Sequence, residues 1–239
     1  MIEVEKIHER LDRLRERIAK ACAKASRDPD SVQLIGVTKT FPAEAVEAAR
    51  EAGLRDFGEN KVQELVAKAR EIPGELEGGA VRWHMIGHLQ RNKAKDVIAK
   101  ADWFHALDSL RLAAELERRA AEAGRVLPCF VQVNVSNEDT KSGIQPGEAH
   151  RFLDELEAFE HLRIVGLMTL ASPMDDPELV RPEFRQLRQL QETYRSSGSG
   201  RHDLMYLSMG MSGDFEVAIE EGATHIRVGS ALFGARSYG

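Results

Sequence analysis

Eight short apolar runs, each followed by a stretch with helical periodicity, constrain this chain more than any other feature. Strands are predicted at 33–39, 55–58, 81–86, 103–106, 126–135, 162–169, 204–207 and 225–228. Helices are predicted between them at 42–52, 60–71, 91–99, 109–123, 178–195 and 214–221, with one more ending near 160 and a last one starting at 231–233. The run at 126–135 is the longest of the predicted strands. Strictly alternating strands and helices call for parallel strands, because a parallel neighbour needs a long crossover and a helix supplies it. An open doubly wound sheet uses the same alternation, and the count of eight selects the closed form. Residues 2 to about 27 precede the first strand, with Ile7, Leu11, Leu14, Ile18 and Ala21 at helical spacing. The expected fold is therefore α/β: a (β/α)8 TIM barrel with an extra N-terminal helix. No break in composition divides the chain, so 1–239 reads as one domain, with 1–27 packed on the barrel.

Composition narrows the function classes. Hydrophobic residues make up 42% and charged residues 30%, as in soluble globular domains. The formal charge of −6 disfavours a general nucleic-acid binder. No stretch approaches a membrane span, and Met1 to Lys6 lacks the apolar core of a signal peptide. Cys22 and Cys129 are the only cysteines and show no metal spacing, which fits a reducing cytoplasm. Cys129 falls in an apolar run and is expected to be buried.

Chemistry gathers where strands end. Lys39 closes the apolar run Leu34-Ile35-Gly36-Val37-Thr38, and Pro42 just after it suits the first turn of a helix. In a barrel, the C-terminal ends of the strands form the catalytic face. A lysine there can be partly desolvated, which frees its amine to attack a carbonyl. After the seventh strand comes Leu207-Ser208-Met209-Gly210-Met211-Ser212, and Arg227-Val228-Gly229-Ser230 closes the eighth. Each places small residues and hydroxyls before a helix start, where backbone N–H groups favour an anion. Ordinary turn chemistry gives the same pattern at a single loop. Two adjacent loops beside a strand-end lysine point to a phosphate site.

The remaining candidates are weaker. His84, His88, His105 and His225 fall in no zinc pattern, so structural or peripheral roles are expected and no metal. Lys141, in a polar loop, is a second lysine following a strand. An amine beside a phosphate site leaves two chemistries open: a Schiff-base aldolase acting on a phosphosugar, or pyridoxal 5′-phosphate, whose aldehyde takes the lysine and whose phosphate takes the loops. Arg227 leans toward the cofactor. It lies two residues before Gly229, on the same strand face, within reach of a ring nitrogen.

Taken together, these segments resemble the pyridoxal phosphate homeostasis proteins, a family related to the N-terminal barrel of alanine racemase. The resemblance covers about 34–236. It rests on Val37-Thr38-Lys39-Thr40, Phe57-Gly58-Glu59-Asn60, Trp83-His84-Met85-Ile86-Gly87-His88, Gly166-Leu167-Met168-Thr169 and the two glycine-bearing loops. It implies that Lys39 forms the Schiff base with the cofactor. It further implies that Ser208, Gly210, Gly229 and Ser230 hold the phosphate, that Arg227 faces the ring nitrogen, and that Asn60 and Met168 line the ring. The implied role is storage and delivery of the cofactor in the cytoplasm, limiting free aldehyde, with no catalytic residues and no robust turnover. Its expected partners are the cofactor and, transiently, apo forms of enzymes that use it, and a monomer is expected. A racemase-like enzyme at the same site is the alternative, with the aldolase as a third reading.

Overall fold

The computed structural model describes residues 4–72, 80–136, 138, 141–198, 200 and 202–234. Residues 73–79, which the sequence places in a loop between the helix at 60–71 and the strand at 81–86, lie outside them. Eight parallel strands close into a barrel in chain order, β1 to β8. They are β1 Gln33–Val37, β2 Asp56–Glu59, β3 Arg82–Met85, β4 Trp103–Leu107, β5 Leu127–Gln132, β6 Leu162–Met168, β7 Tyr206–Ser208 and β8 His225–Val228. Closure is made by β1 against β8, with Ile35 opposite Arg227. This is the expected (β/α)8 fold. Several strands are shorter than predicted. β5 stops at Gln132, because Asn134 donates its backbone N–H to Ile144 O and the chain turns toward the loop after it. The longest strand is thus β6, with 7 residues.

The helices are α1 Val4–Lys24, α2 Ala43–Glu51, α3 Val62–Glu71, α4 Ala94–Lys100, α5 Leu110–Glu122, α6 Ala149–Leu156, α7 Arg181–Ser197, α8 Phe215–Glu220 and the short α9 Ser230–Phe233. Pro42 is the N-cap of α2, one position earlier than the first-turn place expected for it. Helix α1 packs on the outside of the ring against α2, α8 and α9. It buries Ile7, Leu11, Leu14, Ile18, Ala21 and Cys22, the stripe read from its spacing plus the cysteine. Each large side chain buried there is worth about 1.5–3 kcal/mol. Arg17 adds a salt bridge to Glu216 at 2.6 Å and lies over the Phe215 ring at 4.5 Å. Cys129 is fully buried as expected, and burial pushes its thiol up.

The barrel lumen is unusually polar. Such interiors are ordinarily filled by branched apolar side chains. Here His105 stacks on Phe130 at 4.3 Å, and His84 on Trp103 at 5.9 Å. His225 meets the Phe130 edge at 5.1 Å. All three imidazoles are buried, as are Asp56, Ser208 and Arg227. A buried polar group is tolerated only when its hydrogen bonds are made; here Asp56, His84, His105, Ser208 and Arg227 form one connected set, while His225 Nδ1 meets Thr224 Oγ1 at 2.9 Å.

Candidate functional site

At the C-terminal mouth, the end of β1 is held from below. Thr38 is buried, and its hydroxyl donates to Glu59 Oε1 at 2.5 Å. Lys68, on α3, donates to the same oxygen at 2.5 Å and to the Thr38 carbonyl at 2.6 Å. Burial pushes the Glu59 carboxyl up, and the Lys68 ammonium opposes it. Glu59 Oε2 is buried without a hydrogen-bond partner. Beyond Lys39, Thr40 takes φ +69°. That is a rare conformation for a β-branched residue, and Glu64 Oε2 secures it by accepting from Thr40 N at 2.7 Å. The loop that carries Lys39 is therefore pinned on both sides.

Lys39 opens into a cavity of about 520 Å³ at this mouth. Asn60 and Gly87 line it from just after β2 and β3, Gln132 from β5, Arg227 from β8, and Gly229 and Ser230 from the start of α9. Lys141, Met211, Ser212 and Gly213 also reach it. Gly87 is required by close approach: a Cβ there would lie 2.2 Å from Asn60 O.

Arg227 is the buried cation of the site. Its Nη1 donates to Ser208 Oγ at 2.6 Å, and its Nη2 to Thr169 O at 2.7 Å. Both partners are uncharged. Burial pulls its pKa down to about 10, and only the Asp214 charge opposes that. Close by, the N–H groups of Gly229 and Ala231 converge on one oxygen, Ser212 Oγ, at 3.2 and 3.3 Å. Two backbone donors aimed at a single oxygen make a cradle for an oxyanion.

Of the residues expected at the site, Lys39, Asn60, Arg227, Gly229 and Ser230 share this cavity. Ser208, Gly210 and Met168 do not line it. Ser208 is fully buried beneath it, its hydroxyl engaged by His105 and Arg227. Gly210 has φ +95° and turns its Cα toward α8, where a Cβ would lie 2.7 Å from Ala218 Cβ. Its carbonyl accepts from Arg227 N at 3.0 Å. Met168 is fully buried in the apolar core. These three support the walls of the site. Ser212 is the residue to add. Its place in the loop after β7 was visible in the sequence, but its turn toward Gly229 was not. Lys141 also borders the cavity, and its ammonium pairs with Glu138 at 2.8 Å.

A family model described as the N-terminal domain of alanine racemase matches residues 10–237. A pyridoxal phosphate homeostasis protein of Aquifex aeolicus is 41% identical over 230 residues, covering 96% of this chain and 98% of that one. The protein of that name in Escherichia coli is 40% identical, covering 95% and 96%. The solved structure of PipY from Synechococcus elongatus, with PLP bound, is 38% identical and superposes with a TM-score of 0.83. That superposition covers 95% of this chain and all of PipY.

Proposed function

Because the chain belongs to the pyridoxal phosphate homeostasis protein family, we propose that it binds pyridoxal 5′-phosphate at the β1–β8 mouth and keeps that cofactor in store for other proteins. The observation that carries the reading is the pairing, in one cavity, of the Lys39 amine with a buried arginine that has no carboxylate in its hydrogen bonds. When bound, the cofactor supplies an aldehyde that condenses with a primary amine. Lys39 would provide that amine. The convergent N–H groups of Gly229 and Ala231, with Ser212 and Ser230, would hold the phosphate. Asn60 would line the ring.

Arg227 sets the chemistry. A guanidinium only donates hydrogen bonds, so it suits a ring nitrogen that carries no proton. A carboxylate in its place would hold that nitrogen protonated and make the ring a strong electron sink. With arginine there, carbanions on a bound amino acid are poorly stabilised, which favours holding the cofactor over turning substrate over. Two unpaired buried cysteines suit the reducing cytoplasm, where such a carrier would meet apo-enzymes.

One observation favours a second reading. Lys141 brings another amine to the same cavity, and racemisation needs proton-transfer groups on two faces of the ring. The experiment that separates the two mixes loaded protein with an apo form of a PLP enzyme and, in parallel, with single enantiomers of free amino acids. A carrier restores the apo-enzyme and leaves the enantiomers unchanged. Racemisation at ordinary enzyme rates would overturn the carrier reading.

A further inference from the structure

A continuous line of hydrogen bonds crosses the barrel lumen from the opposite mouth to Arg227. It starts at Asp56, whose Oδ1 accepts from Arg82 Nε at 2.7 Å and lies 2.9 Å from His84 Nε2. Its Oδ2 accepts from Arg82 Nη2 at 2.6 Å and from the Gln33 amide. His84 Nδ1 is 2.9 Å from His105 Nε2. His105 Nδ1 is 2.9 Å from Ser208 Oγ, which in turn meets Arg227 Nη1 at 2.6 Å.

The direction of every link follows from the ends. Hydrogen bonds from His84 and Arg82 outweigh burial and hold the Asp56 carboxyl below its usual range, so it is ionised and only accepts. His84 must then donate to it from Nε2; its Nδ1 accepts because His105 Nδ1 takes the Ser208 proton and leaves His105 Nε2 to donate. His105 donates from Nε2 and accepts at Nδ1. Burial and the neighbouring His84, His225 and Arg227 all disfavour a charge on His105, which keeps one nitrogen an acceptor. The Ser208 hydroxyl proton goes to that acceptor, leaving its oxygen lone pairs for Arg227. At the other terminus the guanidinium only donates. All donors therefore point one way, from Arg227 toward Asp56.

We propose that Asp56, His84, His105 and Ser208 form a one-way relay of positioning residues that holds the Arg227 guanidinium in the plane it needs to meet the cofactor's ring nitrogen. This rests on the function proposed above. Ser208 on β7 and the Thr169 carbonyl beyond β6 take one N–H from each terminal nitrogen. Two fixed acceptors determine the plane of the group, and its remaining N–H groups are left for the cavity. If Ser208 were free to turn, it could point its own proton at the guanidinium and repel it. His105 removes that freedom, and Asp56, through His84, sets the tautomer of His105.

The first test is ¹⁵N NMR of the histidines in the cofactor-free protein. Both His84 and His105 are expected as Nε2–H tautomers, and a proton on Nδ1 of either would overturn the relay. The second uses Ser208→Ala, with Ser208→Thr as the conservative rescue and His105→Phe to keep the stacking on Phe130. Losing one hydrogen bond to the guanidinium should speed cofactor release about tenfold and shift the visible band of the bound cofactor. Ser208→Thr should restore both. Ser208→Ala and His105→Phe variants that match the parent in band and release would overturn this inference alone. A parent that takes up no pyridoxal phosphate would overturn it together with the proposed function.

Discussion

Lowering the pH from about 7.5 to about 5.5 is expected to destabilise this barrel by about 3 kcal/mol, through two lumen histidines rather than through surface charge. His225 is held neutral, its pKa pulled down to about 3 chiefly by burial. His105 is displaced in the same direction for the same first cause. In the unfolded chain both titrate near the ordinary histidine value of about 6.5. Between those limits the unfolded state binds more protons than the folded one, so stability is present above about pH 6.5 and is lost as the pH falls. Each proton is worth about 1.4 kcal/mol per pH unit below the unfolded value, so one unit below it the pair loses about 3 kcal/mol.

Glu59, Asp108 and Asp214 work with the opposite sign. Burial raises their folded pKa values, so they gain stability as the pH falls and reduce the net loss. The contribution of Asp56 is lost only below the ordinary carboxylate range of about 4. Against a total stability of about 5–15 kcal/mol the loss is easily measured. With a urea dependence of about 2–3 kcal/mol per molar, the midpoint should drop by about 1 M. His225→Gln should show about half the drop, since one of the two protons is gone. Equal midpoints at the two pH values in the parent would refute the claim that these imidazoles are held neutral.

Three further outcomes follow from the site. Lys68→Met strands the buried Glu59 carboxylate and should cost about 3–5 kcal/mol in urea unfolding, much of it regained in Lys68→Met/Glu59→Leu, where no charge is left behind. Gly87→Ala forces a Cβ against Asn60 O. It should cost about 1–3 kcal/mol and weaken cofactor binding in a fluorescence titration, because the loops after β2 and β3 must part. Arg227→Glu should red-shift the visible band of bound cofactor if the nitrogen is engaged as proposed, and an unshifted band would place the ring elsewhere.

The order and type of the strands were legible because each carries an apolar run and each crossover a 3.6-residue period. The lumen was not. In a parallel barrel both strand faces are buried, one under the helices and one inside. Alternation along β3, β4 and β8 therefore could not say that His84, His105 and His225 share an interior. Ser208 and Ser212 lie in the same loop-forming stretch and look alike as hydroxyl donors. Only the position of Ser208 at the end of β7 turns it inward to Arg227, while Ser212 meets the N–H groups of the next loop. The Glu59–Lys68 pair was hidden for a related reason. It joins the end of β2 to α3, and its partners are brought together by the turn between them.

The central claim is that Lys39 is the cofactor's covalent anchor. Pyridoxal phosphate added to the purified protein, reduction with borohydride and peptide mapping by mass spectrometry test it most directly. The account predicts a pyridoxyl-phosphate mass on the peptide containing Lys39, and its loss in Lys39→Ala. The same mass on Lys141 instead, with Lys39 unmodified, would contradict it.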